Sequence, residues 1–203
     1  MKTTQHFSDY LRMKGVYIFL AKGFEDMEAL STRDVLKRGG IDVETVSITE
    51  DYTVETSHGV LLFADMNFEE FKQIPDEGTG REDVLIFPGG MPGTKNLAGN
   101  VDLMEMMKSH YEEGGTVAAI CAAPGLVVSQ LGHQLQGKFF TCFEGFQDKM
   151  IEKGAVYTPE SVVVDGRLIT GRGAGHAVNF GLRILEYLKG AEAASKVKEG
   201  LML

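Results

Sequence analysis

Two side chains in this sequence would make a reactive centre if the fold brought them together: the thiol of Cys121 and the carboxyl group of Glu28. Cys121 interrupts the run Thr116-Val-Ala-Ala-Ile-Cys-Ala-Ala-Pro-Gly125, and Glu28 closes Lys22-Gly-Phe-Glu-Asp-Met-Glu28. A thiolate is a nucleophile, and the anion formed when it attacks a carbonyl needs backbone donors; a nearby carboxyl group can carry the proton. A cysteine on a strand-to-helix turn is pushed up beside the positive end of the helix, which lowers its pKa. Cys121 is therefore expected to be an acidic thiol and the more reactive cysteine. Cys142, inside the apolar run Phe139 to Phe143, is expected to be inert. The plainer alternatives are a small buried apolar role for Cys121 and a solvated first-turn acid at Glu28.

The elements that must position these groups follow from hydrophobic pattern. Thr116 to Ile120 is β-branched and alanine-rich, as in a strand buried on both faces of a parallel sheet. A helix is expected to follow at once, with Pro124 in its first turn, Leu126, Val127, Val128 and Leu131 against the sheet, and Gly132 as its stop. Gly15 to Leu20 reads as a first strand. After it a helix carries Glu25, Asp26 and Glu28 in its first turn and ends at Gly39-Gly40. Asp42 to Ile48 reads as a strand, and Tyr52 to Asp65 as a hairpin turning at His58-Gly59. Val84 to Phe87 is a short buried strand, and the helix after it is expected to run through Leu97 and Leu103 to Tyr111. Further on come a strand at Phe139 to Phe143, a short helix near Asp148 to Lys153 and a hairpin around Asp165-Gly166. A helix carrying Ala177, Phe180, Ile184 and Leu188 and a surface helix at Ala191 to Lys198 complete the chain.

Strands alternating with helices give an α/β sandwich with a mostly parallel sheet, whose sites lie beyond the strands' carboxyl ends. Three loops fall there: Lys22 to Glu28, Pro88 to Gly93 and Cys121 to Pro124. The amides of Gly90 and Ala122 are candidates for binding an oxyanion, with Gly89 in the same nest. Ala122 follows the cysteine where some hydrolases on this kind of elbow place histidine, which argues against peptide hydrolysis. Gly89-Gly90 lacks the lysine and hydroxyl of a P-loop. Arg172, in Gly171-Arg-Gly-Ala-Gly175, either binds a carboxylate or braces its loop.

The 203 residues carry a net charge of −9, so nucleic acid and anionic membranes are poor partners. No apolar run is long enough to span a membrane, the N-terminus lacks the apolar core of a signal peptide, and a cytoplasmic location is expected. The two cysteines are expected as free thiols. The five histidines (His6, His58, His110, His133, His176) show no zinc-ligand spacing, so no metal is indicated. Residues 1–12 read as an extension, with residues 13–203 as one domain ending in a helical tail.

Leu20-Ala-Lys-Gly-Phe-Glu-Asp-Met-Glu28, Phe87-Pro-Gly-Gly-Met91, Ala118-Ala-Ile-Cys-Ala-Ala-Pro124 and Thr170-Gly-Arg-Gly-Ala-Gly175 occur in that order within Met13 to Lys198. Together they closely resemble the ThiJ/PfpI superfamily, in its DJ-one (parkinsonism-associated deglycase-like) branch. The resemblance implies a flavodoxin-like three-layer sandwich of the class I glutamine amidotransferase type and a homodimer with Arg38 and His58 near the interface. It also implies a reactive Cys121, a protonated Glu28 bonded to the sulfur, and an oxyanion hole from the backbone of Gly90 and Ala122. Implied activities are cofactor-independent glyoxalase or deglycase chemistry on small aldehydes or glycated substrates, or an oxidation-sensing or chaperone role. Older naming points to thiazole monophosphate biosynthesis. The chain departs from the pattern at Phe143 and Glu144, where relatives often carry histidine or tyrosine followed by proline. It departs again at Ala174, where proline is common, and at His176, often threonine or alanine. Gly89, Phe143, Arg172, Ala174 and His176 are therefore pocket candidates whose effect on substrate is open.

Overall fold

The computed structural model describes residues 15–74 and 79–203; the expected extension at residues 1–12 lies outside them. Every side chain of Val16–Leu20 (β1) is buried, and successive residues divide between two cores. Tyr17 and Phe19 join one cluster, and Val16, Ile18 and Leu20 the other. Val84–Phe87 (β6) and, after its first residue, Thr116–Ile120 (β7) alternate in the same way, which is why their sequences there are uninterrupted apolar runs. Burial of one such side chain is worth about 1.5–3 kcal/mol.

Among the described residues seven strands form the sheet, in the order Val162–Asp165 (β10), Leu168–Gly171 (β11), β7, β6, β1, Val43–Ser47 (β2) and Met66–Asn67 (β5). β2 and β5 extend it on one side, and β10 and β11 on the other. All neighbours are parallel except β10 and β11, which form the hairpin expected around Gly166. One core contains Val35 and Leu36 of Asp26–Arg38 (α1) and Phe180, Ile184 and Leu185 of Ala177–Lys189 (α7). The other contains Phe71 of Phe68–Phe71 (α2), Leu97 of Gly93–Gly99 (α3) and Leu103 and Met107 of Val101–Glu112 (α4). The result is a flavodoxin-like α/β sandwich, helices on both faces of a mostly parallel sheet. Ala191–Gly200 (α8) follows α7, and Thr53–Glu55 (β3) pairs with Leu61–Phe63 (β4) as the separate hairpin expected at His58-Gly59.

Three elements depart from the sequence pattern. The helix expected to run from the Pro88 loop to Tyr111 is two helices, because the Asn100 side chain accepts the Leu103 amide and starts α4 afresh. After Cys121 the α-helix lasts one turn, Ala123–Leu126 (α5), and continues as a 3₁₀ stretch, Val128–Leu135. Gly132 is not its stop but a kink within it, at φ 63°. The strand expected over Phe139 to Phe143 is only Phe139–Phe140 (β8), parallel to Val156–Tyr157 (β9). The short helix before β9 is Asp148–Ile151 (α6).

Candidate active site

Cys121 is the residue that leaves β7. Its amide donates to the Gly171 carbonyl at 3.0 Å, continuing the parallel ladder with β11, and its carbonyl accepts the Phe143 amide at 2.8 Å. Its φ is 66°, a left-handed conformation that costs an L-residue about 1–2 kcal/mol. This lifts the side chain out of the sheet's carboxyl edge, the geometry of a nucleophile elbow.

Glu28 reaches the same edge from α1. Glu25 caps that helix, its Oε2 accepting the Glu28 amide at 2.7 Å. The Glu25 amide donates to the Gly89 carbonyl at 3.0 Å, and the Gly89 amide donates to Glu28 Oε2 at 2.7 Å, so one residue holds both the start of the helix and its inward carboxyl group. The Glu28 carboxyl and the Cys121 thiol face the same side of Gly89, where a Cβ would lie 2.6 Å from Glu28 Oε2 and 3.0 Å from Cys121 Sγ, and the Gly90 and Ala122 amides act on the sulfur. A Cβ on Gly89 would lie 2.5 Å from Cys121 Cβ and 2.6 Å from Glu28 Oε2, so no larger residue fits between them. Gly90, at φ +88°, turns its amide inward, and a Cβ there would meet the Glu25 nitrogen at 2.5 Å.

The electrostatics oppose the expectation of an acidic Cys121 thiol. Burial, followed by the charge of Glu28, pushes it up to about 12 against the pull of the Ala122 and Gly90 amides. One turn of α5 adds little dipole to offset that burial. Glu28, 1 % exposed, is itself pushed up to about 7, mainly by burial, and its Oε1 is buried without a hydrogen-bond partner. Two such groups titrate as one pair, with macroscopic steps that belong to both. Between the steps one proton and one negative charge are shared across the contact. Burial likewise raises Cys142 to about 12. What separates the two cysteines is that Cys121 is partly exposed and has amide donors, whereas Cys142 is fully buried.

The fold thus gathers Cys121, Glu28, Gly89, Gly90 and Ala122. Phe143 stands beside them through its amide, half exposed, and a Cβ on Gly173 would lie 3.4 Å from its ring. Arg172 is paired with Glu144 at 2.5 Å, the loop-bracing alternative. Ala174 and His176 occupy a 3₁₀ turn before α7, and no hydrogen bond joins either to Cys121 or Glu28 among the described residues. Glu25's role as cap carried no signal in the sequence, because glutamate is not among the favoured N-cap residues. The fold also sets ligand atoms of Glu25, Asp26 and His58 within 4.8 Å of one another, a grouping that residues so far apart in sequence did not show. His58 Nδ1 and Asp26 Oδ1 there satisfy each other at 2.5 Å. No helix among the described residues is long and apolar enough to cross a membrane.

The model of the DJ-1/PfpI family matches residues 14–187. The zebrafish (Danio rerio) Parkinson disease protein 7 homolog is 35% identical over 192 residues, covering 94% of this chain and 97% of that protein. The Caenorhabditis elegans glutathione-independent glyoxalase DJR-1.2 is 33% identical over 179 residues, covering 88% and 90%. The chain spans about half or less of two Arabidopsis thaliana relatives, 47% of DJ-1 homolog A and 42% of homolog B. Among solved structures, a DJ-1 superfamily protein from Salmonella typhimurium superposes with a TM-score of 0.83 at 31% identity, covering 94% of this chain and 98% of that one. Oxidized Toxoplasma gondii DJ-1 superposes with a TM-score of 0.82 at 29% identity, covering 92% and 97%. With the thiol, carboxyl group and amides meeting at one sheet edge, and with these relatives aligned along nearly the whole chain, the chain belongs to the DJ-1/PfpI family.

Proposed function

We propose that the protein converts small 2-oxoaldehydes to 2-hydroxy acids without glutathione or another cofactor, with Cys121 as nucleophile and Glu28 as proton carrier. The observation that carries this reading is that the Cys121 thiol and the Glu28 carboxyl group meet over Gly89, where a Cβ would lie 3.0 Å from Sγ and 2.6 Å from Oε2, with the Gly90 and Ala122 amides acting on the sulfur. The glyoxalase activity named for the nematode relative supports it.

In this mechanism the reacting form of the pair is its minor one, with the single charge on sulfur and the single proton on Glu28. The sulfur adds to the aldehyde carbon, and the carbonyl oxygen takes a proton to give a hemithioacetal. Glu28, then a carboxylate, removes the C–H proton of that carbon and the neighbouring ketone oxygen is protonated, giving an enediol; proton return to the second carbon yields a thioester. Water cleaves the thioester, releasing the 2-hydroxy acid and the thiol. The aldehyde carbon is oxidised and the ketone carbon reduced, so no external oxidant or reductant is needed. The Gly90 and Ala122 amides stabilise the oxyanions on addition and on hydrolysis.

Lactate formed from methylglyoxal by purified protein tests the reading. We expect Cys121→Ala to abolish it and Glu28→Gln to lower it by about 10²–10⁴-fold. Near-normal turnover by the glutamine variant would remove Glu28 from this role.

The second reading, an oxidation sensor or stress chaperone in which peroxide converts Cys121 to sulfinate, is favoured by the partial exposure of this thiol among amide donors. A relative has been solved in an oxidized form. Negligible turnover by the wild type with ready sulfinate formation would select it.

A further inference from the structure

The rim of the site bears on which 2-oxoaldehyde enters, an inference that rests on the reading above. Two large apolar side chains flank the sulfur's donors. Met91 follows Gly90 and is 39% exposed, and Phe143, whose amide bonds the Cys121 carbonyl, is 52% exposed. The loop carrying Phe143 is fixed beneath the ring: the Phe146 amide donates to the Phe143 carbonyl at 3.1 Å, and the ring of Phe146 meets that of Phe143 edge-on at 6.4 Å. Gly125 of α5 abuts the same loop so closely that a Cβ would fall 2.0 Å from the Phe146 carbonyl oxygen. The backbone that carries the exposed ring is therefore held beside the elbow by bonds on both sides of it.

Two cations on these loops are committed. Arg172 pairs with Glu144, the residue after Phe143, at 2.5 Å, and Lys22 pairs with Glu55 at 3.1 Å. The chain's net charge of −9 adds a field that repels anions. An exposed aromatic ring and a thioether beside paired charges match a neutral substrate with an apolar substituent.

We propose that Phe143, with Met91, makes this site selective for neutral 2-oxoaldehydes carrying an aryl or long alkyl group, and that the Glu144–Arg172 pair excludes carboxylate-bearing aldehydes by keeping the guanidinium occupied. A hydrophobic pocket discriminates by about tenfold or more for an added apolar group.

Steady-state kinetics with phenylglyoxal, methylglyoxal and 4-carboxyphenylglyoxal, a 2-oxoaldehyde that carries a carboxylate, provide the first test. The wild type is expected to show a kcat/KM for phenylglyoxal at least about tenfold above that for methylglyoxal. Phe143→Ala is expected to reduce that ratio to near one, and Phe139→Ala, half exposed on β8, to leave it in place. Intact-mass rates of Cys121 alkylation by N-phenyl iodoacetamide, iodoacetamide and iodoacetate, each divided by its rate with free N-acetylcysteine, read the same preference without turnover. The phenyl reagent is expected to be fastest and iodoacetate slowest, with Glu144→Gln raising the iodoacetate rate selectively. A flat series in the wild type, or a phenyl preference unchanged in Phe143→Ala, overturns the proposal. If no aldehyde is turned over but the alkylation series holds, the rim acts as proposed and the aldehyde-converting reading fails instead.

Discussion

Glu28 and Gly89 are bound to each other 61 positions apart in sequence: the Gly89 amide donates to Glu28 Oε2 at 2.7 Å, in the one gap where Cys121 also packs. The absence of a side chain at Gly89 is what lets the carboxyl group and the thiol touch. Gly89→Ala puts a methyl group at 2.5 Å from Cys121 Cβ, which forces the two apart. A displacement near 1 Å costs about 10²-fold in rate, and we expect that loss in lactate formation with the fold retained by circular dichroism. Activity within a few-fold of wild type would show that the contact is not needed.

The pair's titration is the second test. Glu28 is raised to about 7 and Cys121 to about 12, so the wild type is expected to lose its protons in two well-separated steps. Glu28→Gln removes the like charge but leaves the larger effect of burial, and its thiol is expected to titrate in a single step below the upper step of the wild type. Thiolate absorbance at alkaline and neutral pH follows this directly. A thiol in the glutamine variant that still titrates near the upper step would mean that burial alone sets it. In the wild type, an alkylation rate rising through the lower step places the charge on sulfur.

His110 sets an acid limit on stability. Its Nε2 lies 3.1 Å from both the Asp83 and Thr116 carbonyl oxygens, where it donates, while Nδ1 is buried without a partner. Burial pushes the imidazole down to about 4 from 6.5. The folded state thus disfavours the protonated form that the unfolded chain adopts first. Its contribution is complete above pH 6.5 and is lost as pH falls through about 4, by roughly 3 kcal/mol in all. Urea titrations at neutral and acid pH are expected to show a smaller fall for His110→Asn than for the wild type. An equal fall in both would exclude the histidine as its source.

A homodimer is proposed from the family resemblance together with the apolar surface of the hairpin, where Leu61 is 68% and Phe63 72% exposed. Light scattering at micromolar concentration is expected to give twice the chain mass, and Phe63→Asp the chain mass alone. A monomeric wild type would refute it.

Much of this molecule was legible in the order of its residues. Strands buried on both faces, β1, β6 and β7, are apolar at every position but the hydrogen-bonded Thr116, so their runs stood out and fixed where the site loops lie. The motif around Cys121 and the glycines after β6 named the residues that meet. The sequence could not place Asn100 as a helix cap inside an apolar period, nor show that the helix behind Cys121 lasts a single turn, since both depend on which hydrogen bonds packing permits. Nor could it give the sign of the thiol's shift. Helix dipole and amide donors are local and argue for acidity; burial and the charge of a carboxyl group 93 positions away are set only when α1 docks beside β7, and they are the larger effects. Glu25 as the cap that holds Glu28, and Arg172 committed to Glu144, belong to the same class: each side chain's chemistry was written in the sequence, and its partner was chosen by the tertiary fold.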